Sequence, residues 1–171
     1  MKILGVDPGL ETTGYGIIDD GTLAVIEAGV IRTRANTPIQ ERLIRIFGGL
    51  EAVIGEHKPR VLVLEKMYSH HSHPATVITM AHARAMACLV CGVKRVQLIN
   101  YPSTRIKKAI TGNGHASKKQ VQRMIQNLLG LKDPPEPVDV SDALAMALCY
   151  CLTTGKRRSH DLAYLGKIKA A

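Results

Sequence analysis

The stretch PPEPVDVSDALAMALCY, Pro134 to Tyr150, constrains the fold more than any other part of the chain. From Val140 onward its apolar residues are nearly unbroken, and a helix with so little polar face has to be buried. A chain of 171 residues builds one core of useful size, so this helix belongs against that core's sheet. Yet Asp139 and Asp142 stand at its mouth, three residues apart. Residues at that spacing share a helix face, and the face continues into Met146 and Cys149. Both carboxylates are therefore aimed at the buried side.

The rest of the chain supplies the sheet. Lys2 to Val6 is a short apolar run stopped by DPG, and Thr13 to Ile18 is a second strand. The DDG at Asp19 to Gly21 signals a hairpin, with Thr22 to Thr33 as the returning strand. TPIQ then predicts a helix with Thr37 as N-cap, Pro38 in the first helical position and Gln40 closing a capping box. Ile39, Leu43, Ile46, Phe47, Leu50, Val53 and Ile54 follow at helical spacing until HKPR breaks the pattern.

Val61 to Leu64 reads as a fully buried strand with Glu65 at its end. After SHHSHP, Pro74 opens a helix reaching about Cys91, and Val96 to Ile99 is a last strand. Ser103 is placed to cap a short helix that ends at TGNG, Thr111 to Gly114. Ser117 with Gln120 makes a second capping box, opening a helix that Gly130 closes. Pro134, Pro135 and Pro137 form a stiff connector to the last helix. A meander of strands followed by strand–helix alternation predicts an α/β domain: a five-stranded mixed sheet with helices on both faces. The expected division is one domain over 1–153 and a basic, mobile tail over 154–171.

Charge narrows the partners. Lys and Arg number 23 against 14 Asp and Glu, a net charge of +9 with a pI near 9.6, a field that draws polyanions such as nucleic acid. The sequence offers no uninterrupted apolar stretch long enough to cross a bilayer and no secretory leader, which points away from a membrane and to a cytoplasmic protein. Cys88 and Cys91, with Cys149 and Cys151, have the spacing of zinc ligands. Both pairs lie inside apolar helical runs, however, so reduced core cysteines are expected.

The chemistry lies with the acids. Asp7 follows the first strand, Glu65 follows the fourth, and neighbouring parallel strands end at one edge of a sheet. Each acid alone has a plain explanation: Asp139 as an N-cap, Asp142 in a first turn, Asp7 in a Pro-Gly turn. Together with the pair opening the last helix they converge, and converging carboxylates repel unless a cation sits among them. Mg²⁺ suits such a set, and two ions about 4 Å apart are the usual apparatus of phosphodiester hydrolysis. Around them stand cations. Arg105, Lys107 and Lys108 flank TGNGHASKK, whose glycines let backbone approach a phosphate. Lys118 and Lys119 open the following helix, whose amides favour anions.

The blocks ILGVDPGLETTGYGII, LEKMY, ARAMA, KKAITGNGHASKKQVQRMIQNLLGL and DVSDALAMAL resemble those of the RuvC family, bacterial crossover-junction (Holliday junction) endonucleases, in content, order and spacing. The likeness extends to about residue 153. It implies an RNase H-like fold, a homodimer, two Mg²⁺ per active site with Mn²⁺ able to substitute, and partnership with the RuvA and RuvB branch-migration helicase. The implied reaction is paired nicking of like-polarity strands at four-way DNA junctions, in homologous recombination and DNA repair.

By position, the resemblance makes Asp7, Glu65, Asp139 and Asp142 the metal-binding catalytic acids; some family members have histidine where Asp139 stands. Lys107 and Lys118 fall where the family keeps lysines near the scissile phosphate, and Tyr68 where an aromatic ring stacks on a base. The chain departs from the family at SHHSHP, whose His70, His71 and His73 are expected to be exposed, adding protonatable contacts to DNA. It departs again at Ala85, in place of a glycine on the helix the family uses for dimer contact. Three other readings remain. GVDPGLETTG resembles the first phosphate loop of actin-like kinases, but the chain is too short for their second lobe. The others are a junction-binding protein without cleavage and a smaller resolvase-like nuclease acting on structured RNA.

Overall fold

Period-two alternation in the first strand decides how the molecule is layered. In a computed structural model that describes residues 1–67 and 74–154, β1 (Lys2–Asp7) occupies the centre of a five-stranded sheet. β2 (Thr12–Asp19) and β3 (Val25–Arg32) extend it on one side as an antiparallel meander, and β4 (Val61–Glu65) and β5 (Gln97–Tyr101) on the other as parallel strands. The order is β3-β2-β1-β4-β5. Leu4, Val6, Leu62 and Leu64 pack toward α1 (Ile39–His57) and α2 (Pro74–Lys94). Ile3, Val61 and Val63 pack toward α3 (Ser103–Thr111), α4 (Lys118–Leu128) and α5 (Val138–Thr154). The mixed sheet with helices on both faces is as expected. The cysteines are free and divided: Cys91 with Cys88 lies under one face and Cys149 with Cys151 under the other, so they form core and no shared zinc site.

The apolar helix α5 lies directly on β1 and β2, and three glycines let it do so. A Cβ at Gly5 would stand 1.9 Å from the Ala143 carbonyl oxygen, one at Gly14 2.1 Å from that of Asp139, and one at Gly16 2.6 Å from Leu144 Cδ2. Gly5 and Gly16 are cross-strand partners, and Gly14 pairs with Asp7. The sheet thus offers α5 a floor without side chains, and the first turn of the helix comes down beside the end of β1.

Three local expectations are corrected. The box predicted from Thr37 and Gln40 does not form: α1 begins at Ile39 after Pro38, without a side-chain cap. The Thr37 hydroxyl instead donates to the Arg34 carbonyl at 2.6 Å, a local turn that competes with capping. Ser103 is the first residue of α3 rather than its cap, and Asp139 lies within the first turn of α5. By contrast, the Ser117–Gln120 box forms reciprocally, at 3.3 and 2.8 Å. Gly130 ends α4 with φ 62°, and the Leu131 N–H returns to the Gln126 carbonyl.

α2 also departs from expectation. Thr76–Lys94 is long and apolar enough to cross a membrane by length and composition, with mean hydropathy 1.5, yet only 22% of that span is buried. Ala83, Ala87, Val90 and Cys91 face the core, while Ile78, Leu89 and Val93 each leave more than half their surface exposed (57, 52 and 57%). A helix that carries its own core face and a second apolar face, with Arg84 between them, has the pattern of an element that packs on two protein surfaces.

Candidate active site

The alternation that layers the sheet also aims the acids. Asp7 shares the parity of Ile3 and Gly5, and Glu65 that of Val61 and Val63, so both side chains leave the sheet on the α5 side. The parallel register from Ile3–Val61 to Val6–Leu64 brings the two strand ends level. The first turn of α5, seated over Gly14, adds Asp139 and Asp142 from above.

Electrostatics shows how closely these groups meet. Burial, followed by repulsion from Asp142, Asp139 and Glu65, pushes the Asp7 carboxyl up to about 7, with Lys118 opposing. Glu65 is also raised, first by burial and further by Asp142. A hydrogen bond from the Ser103 side chain and the charges of Lys107 and Lys118 act in the opposite direction. Lys118 places its ammonium 3.3 Å from Asp142 Oδ2 while leaving 76% of its side chain exposed. The residues before β2 are fixed from outside. Thr13 donates to the Gly9 carbonyl at 2.7 Å, Thr33 to that of Leu10 at 2.6 Å, and Arg42 Nε to the Thr33 hydroxyl at 2.9 Å.

The predicted cations divide into two groups. Lys107 lies one helical turn after Ser103, on the face of α3 that acts on Glu65, and Lys118 reaches the acids from the start of α4. Arg105 and Lys108 lie elsewhere on α3. The Arg105 guanidinium stacks 4.5 Å above the Tyr101 ring, and Arg105 and Lys108 line a groove with Asn113 and His115. Lys119 is exposed on α4. Ala85 is exposed on α2. Tyr68, His70, His71 and His73 lie outside the described residues, as does the tail from residue 155.

Ser103 escaped sequence reasoning as a partner of Glu65, because a serine opening a helix is read as a cap. A second carboxylate cluster escaped it entirely. Glu27, Glu56 and His57 bring ligand atoms within 4.8 Å of one another, with the Tyr15 hydroxyl donating to Glu27 at 2.6 Å. These residues come from three separate elements and share no motif.

Chemically, the rim is a set of hard oxygen donors that cannot all be ionised in comfort at neutral pH. A divalent cation removes the repulsion, and carboxylates are the donors Mg²⁺ and Mn²⁺ take from proteins.

Residues 3–150 match the family model described as Crossover junction endodeoxyribonuclease RuvC. The chain is 44% identical over 149 residues to a crossover junction endodeoxyribonuclease RuvC of Rhodopirellula baltica, covering 86% of this chain and 84% of that protein. The fold resembles a Thermus thermophilus RuvC structure with TM-score 0.79 and 27% identity, over 89% of this chain and 94% of the other. It also resembles T. thermophilus RuvC in complex with Holliday junction substrate, with TM-score 0.81 and 24% identity, over 89% and 93% of the two chains.

Proposed function

This chain belongs to the RuvC family of crossover junction endodeoxyribonucleases, and from that premise we propose that its catalytic centre is the rim where Asp7, Glu65, Asp139 and Asp142 meet. The protein is a Holliday junction resolvase with an RNase H-like fold, from a family of metal-dependent nucleases. The observation carrying the site assignment is the Asp7 carboxyl, raised to about 7 by burial and by the three other acids.

The four acids are proposed to hold Mg²⁺, two ions per site, with Mn²⁺ able to substitute. When bound, the metal supplies an activated water and neutralises charge developing on the phosphorus oxygens. The protein's own part is to pre-arrange. The glycine floor fixes α5, and hence Asp139 and Asp142, against the strand ends. Ser103 orients the Glu65 carboxylate. Lys118 is exposed enough to leave Asp142 for a phosphate oxygen, and Lys107 stands beside Glu65; both are proposed to steady the charge of the transition state. Arg105, Lys108, Lys119 and Tyr68 are proposed contacts to the DNA arms, where phosphate neutralisation sets affinity.

The nuclease domain is proposed to span 1–153, with 154–171 as a basic tail. The exposed apolar face of α2 supports a homodimer, which would give the two centres that paired nicking of like-polarity strands requires. RuvA and RuvB are the proposed helicase partners, and reduced cysteines with a DNA substrate favour the cytoplasm. The test is an end-labelled four-way junction compared with linear duplex, each with Mg²⁺ or chelator. Paired symmetric nicks in the junction alone, and only with metal, are expected. Equal cutting of duplex, or cutting under chelation, would refute the assignment.

A further inference from the structure

Glu65 is the last residue of β4, at the point where the sheet stops holding the chain on one side. The ladder with β1 closes at Val6–Leu64, one residue short of it. On the other side β5 continues, with Glu65 opposite Tyr101 and the Lys66 N–H donating to the Tyr101 carbonyl at 2.8 Å. The Glu65 carbonyl is met from α2. Arg84 Nη1 donates to it at 2.6 Å, and Arg84 Nη2 donates to the side-chain oxygen of Asn100, on β5. Arg84 is itself held, because Ala83 and Ala87 beside it are fully buried in the core. One guanidinium thus ties α2 to the ends of two strands.

That tie has mechanical work to do. Asp142 repels the Glu65 carboxylate, and Glu65 and Asp7 repel one another. A strand end relieves repulsion most easily by rotating its last peptide and splaying the side chain outward. One arm of the guanidinium on the carbonyl, braced by the other arm on Asn100, opposes that rotation, and two divergent N–H groups in one plane are what arginine has and lysine lacks.

We propose that Arg84 is a positioning residue for the acidic centre: through the Glu65 carbonyl it sets the direction in which the Glu65 carboxylate enters the rim, and so the centre's affinity for divalent metal. This rests on the reading of Glu65 as a metal ligand given above. Arg84 acts on that carboxylate only through the Glu65 backbone carbonyl.

The experiment compares wild type, Arg84→Ala, Arg84→Lys, Asn100→Ala and Glu65→Gln by two readouts: Mn²⁺ binding to DNA-free protein by calorimetry, and single-turnover junction cleavage across a Mg²⁺ series. Arg84→Ala should raise the Mn²⁺ Kd and the Mg²⁺ half-saturation by roughly tenfold, within the up to ~10²-fold cost of misplacing a reacting group by about 1 Å. Arg84→Lys, which keeps one bond, should fall between, and Asn100→Ala should shift both values the same way by less. Junction affinity in chelator should stay within about twofold. Metal binding unchanged in a folded Arg84→Ala, or a loss confined to junction affinity, overturns the inference. Should Arg84→Ala not fold, metal curves identical to wild type in both Arg84→Lys and Asn100→Ala overturn it equally. If Glu65→Gln leaves Mn²⁺ binding intact, the reading of Glu65 falls and the inference with it. If Glu65→Gln abolishes binding while the Arg84 variants shift nothing, only the inference falls.

Discussion

Two carboxylate clusters sit on this sheet, and they are built on opposite electrostatic plans. At the rim, Asp7, Glu65, Asp139 and Asp142 crowd together, and burial with mutual repulsion holds Asp7 and Glu65 above the ordinary carboxylate range. On the β2–β3 side, Glu27 accepts from the Tyr15 hydroxyl at 2.6 Å and contacts His57 Nε2 at 2.5 Å. Those partners lower its carboxyl, and Tyr15 is pushed up to about 12, first by burial and then by Glu27. As a cage the second cluster is compact, with Glu27, Glu56 and His57 ligand atoms all within 4.8 Å. Its central carboxylate, however, already has its donors. At the rim the acids are left to repel one another; at the β2–β3 cluster the Glu27 carboxylate is satisfied by its hydrogen bonds. What distinguishes a centre that wants a cation is unrelieved repulsion among its acids, more than how tightly the oxygens gather.

The largest effect that would break this comparison is at Asp7. Asp7→Asn should reduce junction cleavage by about 10³-fold, the scale of losing a principal electrostatic element of an active site. Junction binding should be nearly unchanged, because it rests on the lysines and arginines. Cleavage and gel-shift assays on one preparation check both, and near-normal cutting would remove Asp7 from the centre.

The same substitution should stabilise the metal-free protein. A carboxyl raised from 3.8 to about 7 disfavours the fold when ionised, by an amount on the order of 4 kcal/mol at about 1.4 kcal/mol per pH unit. The penalty is full above the folded value near 7 and disappears as pH falls toward the unfolded value near 3.8. Urea denaturation in chelator should therefore show Asp7→Asn more stable than wild type at pH 8, with the gap closing by about pH 4. Saturating Mg²⁺ should close it at pH 8 as well, by binding the wild-type fold.

How much of this was legible in the sequence depends on how far apart the interacting residues lie. The order of strands and helices, the Ser117–Gln120 box and the placing of acids at two strand ends and one helix start follow from local pattern and from the rule that parallel strands finish at one edge. Long-range partners leave no such trace. Nothing in VDVSDALAM says that Gly14 is the floor beneath Asp139, and nothing in ARAMA says that Arg84 reaches the Glu65 carbonyl. Ser103 was visible as a helix opener, but its use on Glu65 appears only once β5 delivers α3 beside β4. Thr37 shows the reverse case: a correct capping signature lost to a nearer acceptor at Arg34. The Glu27–His57 pair joins residues 30 apart across β3 and α1, beyond any local pattern.

The smallest expected effect sharpens the comparison from the other side. Glu27→Gln should leave cleavage within about twofold of wild type and cost only ~0.5–1.5 kcal/mol, the range of an ordinary hydrogen bond. The contact with His57 adds little, because the Glu27 side chain is 36% exposed and screened by water. The pH dependence should also be inverted. A carboxyl lowered by its partners stabilises the fold above its unfolded value near 4.5 and loses that contribution as pH falls through the folded value. Wild type should thus exceed Glu27→Gln in stability at pH 7, and the two should converge as pH falls through the lowered folded value, opposite in sense to the pair at Asp7. Calorimetric Mn²⁺ titration of Glu27→Gln should match wild type. A large loss of metal binding or cleavage there would mean that the satisfied cluster, and not the strained one, is where the protein takes up its cation.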